Sequence, residues 1–412
     1  MKKYLVGLVL LVSLVIPPLA FASTIELPAK AGMAVEVRTG KILYEKNADQ
    51  KVPVGNLSRL LTLYLVYDAV KAKRINWDDK VTINDYALQL TQEPDIPNVT
   101  FTHPQYSVKD LTKASLISAS SSASVALAEH VAGSEQEAVE EMRRLLDNWG
   151  IKKHSLVNAS GVNNRYLGDY RLENSPEDAE NQLSARDLAI ISYRLINDFP
   201  EVLELSEATQ GNFGGEPIPT YNYLLENMPY ARLDTYGLIT GTSTDAGSGL
   251  ISLSYENRMQ VLSIFLDVDG GREDSDKRFL VAHDFLNQIA EQFHLQKVLP
   301  ASTSYKDTPA PVLDGVVDKV SAVTQDDFYV VTTPDTVDNV QLKAVFPDKT
   351  NYAPIKEGQV VGQVVFDDKK LVGKGYLADL PSMSLIAENE VARTNLLKII
   401  WNHFVQYIID NL

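Results

Sequence analysis

The stretch Pro53-Val54-Gly55-Asn56-Leu57-Ser58-Arg59-Leu60-Leu61-Thr62-Leu63-Tyr64-Leu65-Val66 organises the reading of this chain. A short turn carrying Pro, Gly and Asn leads into apolar residues at helical spacing: Leu57, Leu60, Leu61, Tyr64 and Leu65. That pattern predicts a buried helix with polar residues at its N-terminus. Such an N-terminus is a good mount for a nucleophile, because its free N–H groups and dipole stabilise developing negative charge. An ordinary core helix fits the same stretch.

Upstream, residues 33–37 and 41–45 flank the turn Arg38-Thr39-Gly40 and read as a hairpin. Downstream, residues 77–106 read as short strands and loops, broken by Pro94, Pro97 and Pro104. Residues 108–132 form a second long helical region dominated by small side chains. Residues 135–149 are an amphipathic helix stopped by Gly150, and Ser184 caps another that runs to about Leu195. Residues 233–238, 249–255 and 260–268 read as adjacent strands, closed by a helix over 277–293. Helices flanking a sheet whose strands come from both ends of the segment imply an α/β or α+β domain.

Composition then shifts. Residues 300–383 hold short β-like runs at 328–331, 340–345, 360–366 and 371–376, separated by turns, and read as a small all-β module. In the tail, Leu396, Leu397, Ile400, Trp401, Phe404, Val405, Ile408 and Leu412 share one helical face, with Asn395, Lys398, Asn402, Gln406 and Asp410 opposite. At the other end, Lys2 and Lys3, an apolar run over 5–16, Pro17-Pro18 and Ala20-Phe21-Ala22 spell a secretory signal cleaved after Ala22. The expected organisation is thus signal peptide 1–22, main domain 23–295, β-rich domain 300–383 and amphipathic helix 388–412.

The 412 residues, 45% hydrophobic, suffice for more than one core. The chain carries 54 acidic against 38 basic residues, a net charge of -16, with no basic cluster, so no nucleic-acid partner is expected. Cysteine is absent, which excludes disulfides, thiolate metal sites and a Cys nucleophile. His103, His130, His154, His283, His294 and His403 lack metal-ligand spacing. The acidic patches at 78–79, 173–180 and 367–368 read as solvated loops. No Gly-rich phosphate loop occurs, and no cofactor is expected.

Several ordered segments carry a family resemblance. They are Leu60-Leu61-Thr62, residues 126–134, Val157-Asn158-Ala159-Ser160-Gly161, Leu183-Ser184-Ala185-Arg186-Asp187, residues 240–247 and Gly358-Gln359-Val360-Val361-Gly362. In these the chain resembles the low-molecular-weight penicillin-binding proteins of streptococcal type, which act as serine D-alanyl-D-alanine carboxypeptidases. The resemblance implies an α/β, transpeptidase-like fold with a sheet flanked by helices, a second, smaller all-β domain, and a C-terminal amphipathic helix. It also implies an exported protein at the outer face of the cytoplasmic membrane or in the wall. Its partners would be peptidoglycan stem peptides or a wall-synthesis protein, and the membrane surface through 388–412.

Such enzymes run on three motifs, and all three are altered here. S-x-x-K aligns with Asn56-Leu57-Ser58-Arg59: Asn has no nucleophilic hydroxyl, and Arg is no base because its pKa lies above about 12. Ser58 is displaced by about 200° of helical rotation, which aims it away from the cleft. S-x-N aligns with Ala119-Ser120-Ser121, and the run Ser120-Ser121-Ser122 reads as a polar turn facing a wet groove. K-T-G aligns with Ile239-Thr240-Gly241; Thr240, Gly241 and Thr242 persist as substrate-binding positions, with the N–H groups of Asn56 and Thr242 as implied oxyanion donors. Residues of a catalytic unit are not additive, so losing the nucleophile collapses the unit. The first expectation is a non-catalytic homologue that binds peptidoglycan or regulates wall synthesis. The alternative is a working carboxypeptidase rerouted through Ser58 or Ser121.

Overall fold

The computed structural model describes residues 24–411 except 307, 348–350 and 369–372, so the expected signal segment lies outside the described residues. Strands β1 (Ala29–Glu36) and β2 (Lys41–Lys46) form the expected hairpin. With β3 (Thr235–Ser243), β4 (Gly247–Glu256) and β5 (Met259–Val268) they build an antiparallel sheet in the order β2-β1-β5-β4-β3. The first and last strands of the segment therefore meet at its centre. Alternation along β5 sends Leu262, Ile264 and Leu266 into one core and Met259, Val261 and Phe265 into the other, as a two-residue period requires.

Helices α1 (Leu60–Lys71), α2 (Asp85–Leu90), α3 (Val108–Ile117), α4 (Ser121–Ala132), α5 (Glu135–Asn148), α6 (Ala185–Asp198), α7 (Val202–Ser206) and α8 (Lys277–Gln292) complete this part. Helices α1 and α6 share the first core; α8 covers the opposite face through Phe279, Phe285 and Ile289. Helix α6 starts at a full capping box made by Ser184 and Asp187.

Three local expectations need correction. Residues 108–132 are two helices, because Ala119 takes a left-handed φ of 55° that no α-helix continues, and Ser120 then caps α4 by accepting the Ala123 N–H. Ser120, Ser121 and Ser122 are all 0% exposed, so they face no wet groove. The 77–106 segment contains α2, which Asn84 caps by accepting the Ala87 N–H at 2.9 Å.

The second domain is all-β. Strands Ala322–Thr324, Ser382–Ala387, Val360–Phe366 and Leu342–Val345 form one sheet in that order, and His294–Leu299 pairs with Phe328–Thr332. The strand expected over 371–376 lies partly outside the described residues; Tyr376 makes an isolated bridge to Lys41. There the second domain covers the free edge of β2, with Ile42 N–H on the Gly375 carbonyl at 2.9 Å and Leu377 N–H on the Gly40 carbonyl at 2.8 Å. Lys41 Nζ meets Asp368 at 2.6 Å with both side chains buried, and the Tyr376 hydroxyl donates to the same carboxylate at 2.9 Å. Asp368 is thus an anchored group, where a solvated acidic loop was expected.

Helix α9 (Leu396–Asn411) docks by its polar side, Lys398 to Asp318 and His403 to Asp314. Leu396, Leu397, Ile400, Trp401 and Phe404 stand exposed. No helix among the described residues is long and apolar enough to cross a membrane.

Candidate active site

The chain enters α1 through a 3₁₀ turn, Gly55–Arg59, so the four residues of the first motif sit on a tighter coil than an α-helix. Two glycines let neighbouring backbone close on this turn. A Cβ on Gly241 would lie 3.1 Å from the Leu57 nitrogen and collide with the Leu57 side chain; one on Gly161, whose φ is 82°, would lie 2.8 Å from Asn56 Cα. Strand β3 therefore passes directly over Asn56.

That approach produces the central contact of the site. The backbone N–H of Thr242 donates to Asn56 Oδ1 at 3.2 Å. Thr242 N–H is one of the two implied oxyanion donors, and it is already occupied by a carbonyl oxygen of the protein's own. Because an N–H only donates, this bond fixes the carboxamide with oxygen toward β3.

Arg59 is 1% exposed and lies between the same two elements. Its guanidinium donates to the Asn56 carbonyl at 2.8 Å and to the Thr240 carbonyl at 3.2 Å, while Nε has no partner among the described residues. Burial without an anionic partner pulls its pKa down to about 9, which leaves it charged at neutral pH. Arg59 thus cross-links the 3₁₀ turn to β3.

The other motif positions do not converge on this pair. Ile239 joins the apolar core at 1% exposure. Ala119 keeps a strained backbone of the sort found where a side chain must be aimed, but carries no hydroxyl. Ser121 Oγ is sealed from solvent and without a hydrogen-bond partner among the described residues. Ser58 Oγ donates to the Gly55 carbonyl at 3.1 Å and accepts from Asn181 Nδ2 at 2.8 Å. Both serines are buried, and neither lines the cavity.

That cavity, about 600 Å³, is where Asn56 and Thr242 meet solvent. Asp95, Ile96, Asn163, Tyr166, Glu180, Ser243 and Arg272 line it as well, and none of these was named as a site residue from sequence. Glu180 was read as part of a solvated acidic loop; it is 4% exposed, and burial raises its pKa above the usual carboxylate value. Its carboxylate accepts from Ser243 Oγ at 2.8 Å and from Asn163 Nδ2 at 3.4 Å. Arg278, buried on α8, donates to the carbonyls of Gly241 and Gly249 at 2.9 Å and to Thr242 Oγ1 at 3.0 Å, bracing β3 from behind. The arrangement can hold a peptide end by hydrogen bonds. At the first-motif positions, Asn56 and Arg59 present neither a hydroxyl nor a neutral amine.

Behind the turn lies a second network. Asn181 accepts from the N–H groups of Val157 and Asn158 and donates to Ser58 Oγ and to the Asn158 carbonyl. Glu135 accepts from Ala159 N–H at 2.8 Å and from the Tyr86 hydroxyl at 3.0 Å; burial pushes its pKa up to about 7.

Comparison with known proteins identifies the family to which this fold belongs. Residues 19–270 match the D-alanyl-D-alanine carboxypeptidase family and residues 293–393 match the penicillin-binding protein 5 C-terminal domain. The chain belongs to the D-alanyl-D-alanine carboxypeptidase family. It is 26% identical to the carboxypeptidase DacA of Haemophilus influenzae, covering 92% of this chain and 89% of that one. It is 28% identical to DacC of Escherichia coli, covering 85% and 84%. Among solved structures, a peptidoglycan synthesis regulatory factor (PBP3) from Streptococcus pneumoniae superposes with a TM-score of 0.84 at 37% identity, covering 89% of this chain and 100% of that one. Penicillin-binding protein 5 of Haemophilus influenzae follows with a TM-score of 0.66 at 26% identity, covering 89% and 98%.

Proposed function

We propose that this chain is a cell-surface member of its family that has lost acyl transfer. In this reading it binds peptidoglycan stem peptides, or a protein of wall synthesis, through the cleft between the 3₁₀ turn and β3. One observation carries the reading. Where a serine hydroxyl and an amine base are required, Asn56 and Arg59 stand, each held in hydrogen bonds that leave nothing to attack a carbonyl. A serine ester cannot form on a carboxamide, and a guanidinium charged at neutral pH takes no proton. The similarity to a protein described as a peptidoglycan synthesis regulatory factor supports a regulatory role at the wall.

Export by the 1–22 segment and docking of 388–412 on the outer face of the cytoplasmic membrane complete the proposal. The exposed Leu397, Ile400, Trp401 and Phe404 would enter the lipid interface. Lys398 is engaged with Asp318, so binding to vesicles is expected to depend little on anionic lipid or salt.

The test is acylation. The purified ectodomain is incubated with a fluorescent penicillin and its intact mass recorded. No adduct is expected, and one should appear when Asn56→Ser, Arg59→Lys, Ala119→Ser, Ser121→Asn and Ile239→Lys are combined. A covalent adduct on the unaltered chain, lost on Ser58→Ala or Ser121→Ala, would overturn the proposal in favour of rerouted catalysis.

A further inference from the structure

The carboxamide of Asn56 has two ends, and only one is used within the protein. Oδ1 is held by the Thr242 N–H. Nδ2 has no hydrogen-bond partner among the described residues and is not among the atoms sealed from solvent, while the residue as a whole is 3% exposed and lines the cavity. An amide donor is thus pinned in a fixed orientation at the floor of a 600 Å³ cavity, a size suited to a peptide end.

We infer that Asn56 is a ligand-recognition residue: its Nδ2 donates to an acceptor oxygen of a bound peptide, while its Oδ1 fills the seat that the oxygen of an acylated carbonyl would take. The inference rests on the cleft-binding part of the proposed function and specifies how that cleft reads its ligand. A peptide carbonyl cannot reach Thr242 N–H, because that donor is taken at 3.2 Å. Nδ2 is the remaining donor of that amide, on a residue that lines the cavity. Being pinned at Oδ1, the amide loses little rotamer entropy on binding. Glu180 lines the cavity with its carboxylate accepting from Ser243 and Asn163, and Arg272 lines the same cavity. The ligand class is therefore a peptide end with one exposed acceptor oxygen at the depth of residue 56. It is held reversibly, with no bond made or broken.

The experiment uses the full chain labelled with ¹⁵N-asparagine, titrated with diacetyl-Lys-D-Ala-D-Ala. The Asn56 side-chain NH₂ resonance, assigned by its loss in Asn56→Asp, is followed by NMR, and Kd is measured by calorimetry. Asn56→Asp keeps the shape and the acceptor for Thr242 N–H but removes the donor. The NH₂ resonance is expected to move downfield with saturation, and Asn56→Asp to weaken binding at least tenfold. If the peptide binds but the resonance stays put and Asn56→Asp binds within twofold of the parent, this inference falls and cleft binding stands. If the parent chain does not bind the peptide at millimolar concentration, both fall. Should Asn56→Asp fail to fold, Asn56→Ser supplies the assignment and the NH₂ shift in the parent chain decides alone.

Discussion

The 3₁₀ turn at Gly55–Arg59 has two sides built on different terms. On the cleft side, Asn56 and Arg59 hold β3 through two hydrogen bonds, a third closes within the turn, Asn56 Nδ2 is left to the cavity, and Arg59 Nε has no partner among the described residues. On the far side, Ser58 is locked into Asn181, whose carboxamide makes four hydrogen bonds, and the same layer reaches Glu135 and Tyr86. The cleft side carries chemistry and tolerates exchange of residue types. The far side carries the fold, because a buried network is stable only when every member is satisfied. The family fold therefore persists around a turn that carries Asn56 and Arg59.

The comparison breaks if the two sides respond alike. Asn181→Ala should cost about 4 kcal/mol or more in chemical denaturation, since it leaves two buried N–H groups and the Asn158 carbonyl without their partner. Lys41→Met, at the junction with the second domain, should cost about 3 kcal/mol by removing the buried cation that meets Asp368 at 2.6 Å. Most of that loss should be recovered when Asp368→Leu is added.

Glu135→Gln sharpens the far side by pH. The folded carboxyl titrates near 7, above its ordinary value of 4.5, so the native state holds the extra proton between those limits and stability falls as pH rises through them. The glutamine can accept from Ala159 N–H and donate to the Tyr86 oxygen without charge. It should therefore stabilise the protein by about 2 kcal/mol at pH 8 and flatten the profile between pH 4.5 and 7, as read by denaturation across pH. On the cleft side, Asn56→Ser should change stability by less than about 1 kcal/mol, because it removes a single 3.2 Å hydrogen bond. A cleft-side loss as large as that of Asn181→Ala would erase the distinction.

Much of the fold was legible in order and pattern. The hairpin at Arg38-Thr39-Gly40, the Ser184 cap and the strand over 260–268 are local signals, and local signals survive folding. The break inside 108–132 was not legible, because nothing in Ser118-Ala119-Ser120 announces a left-handed residue. Nor were the cavity walls: Glu180 and Asp368 look like any loop carboxylates until burial and a partner distinguish them. Composition reports what a side chain is, whereas exposure depends on which distant segment covers it.

For the site, the sequence alone determined which side chains stand at the motif positions. Asn56, Arg59, Ala119 and Ile239 have no hydroxyl or amine to give, and that is a property of the residues themselves. Only the tertiary structure decided what those residues do instead. The bond from Thr242 N–H to Asn56 Oδ1 joins residues 186 apart in the chain, and closure of β3 over the turn creates it. No property of either residue alone specifies that contact.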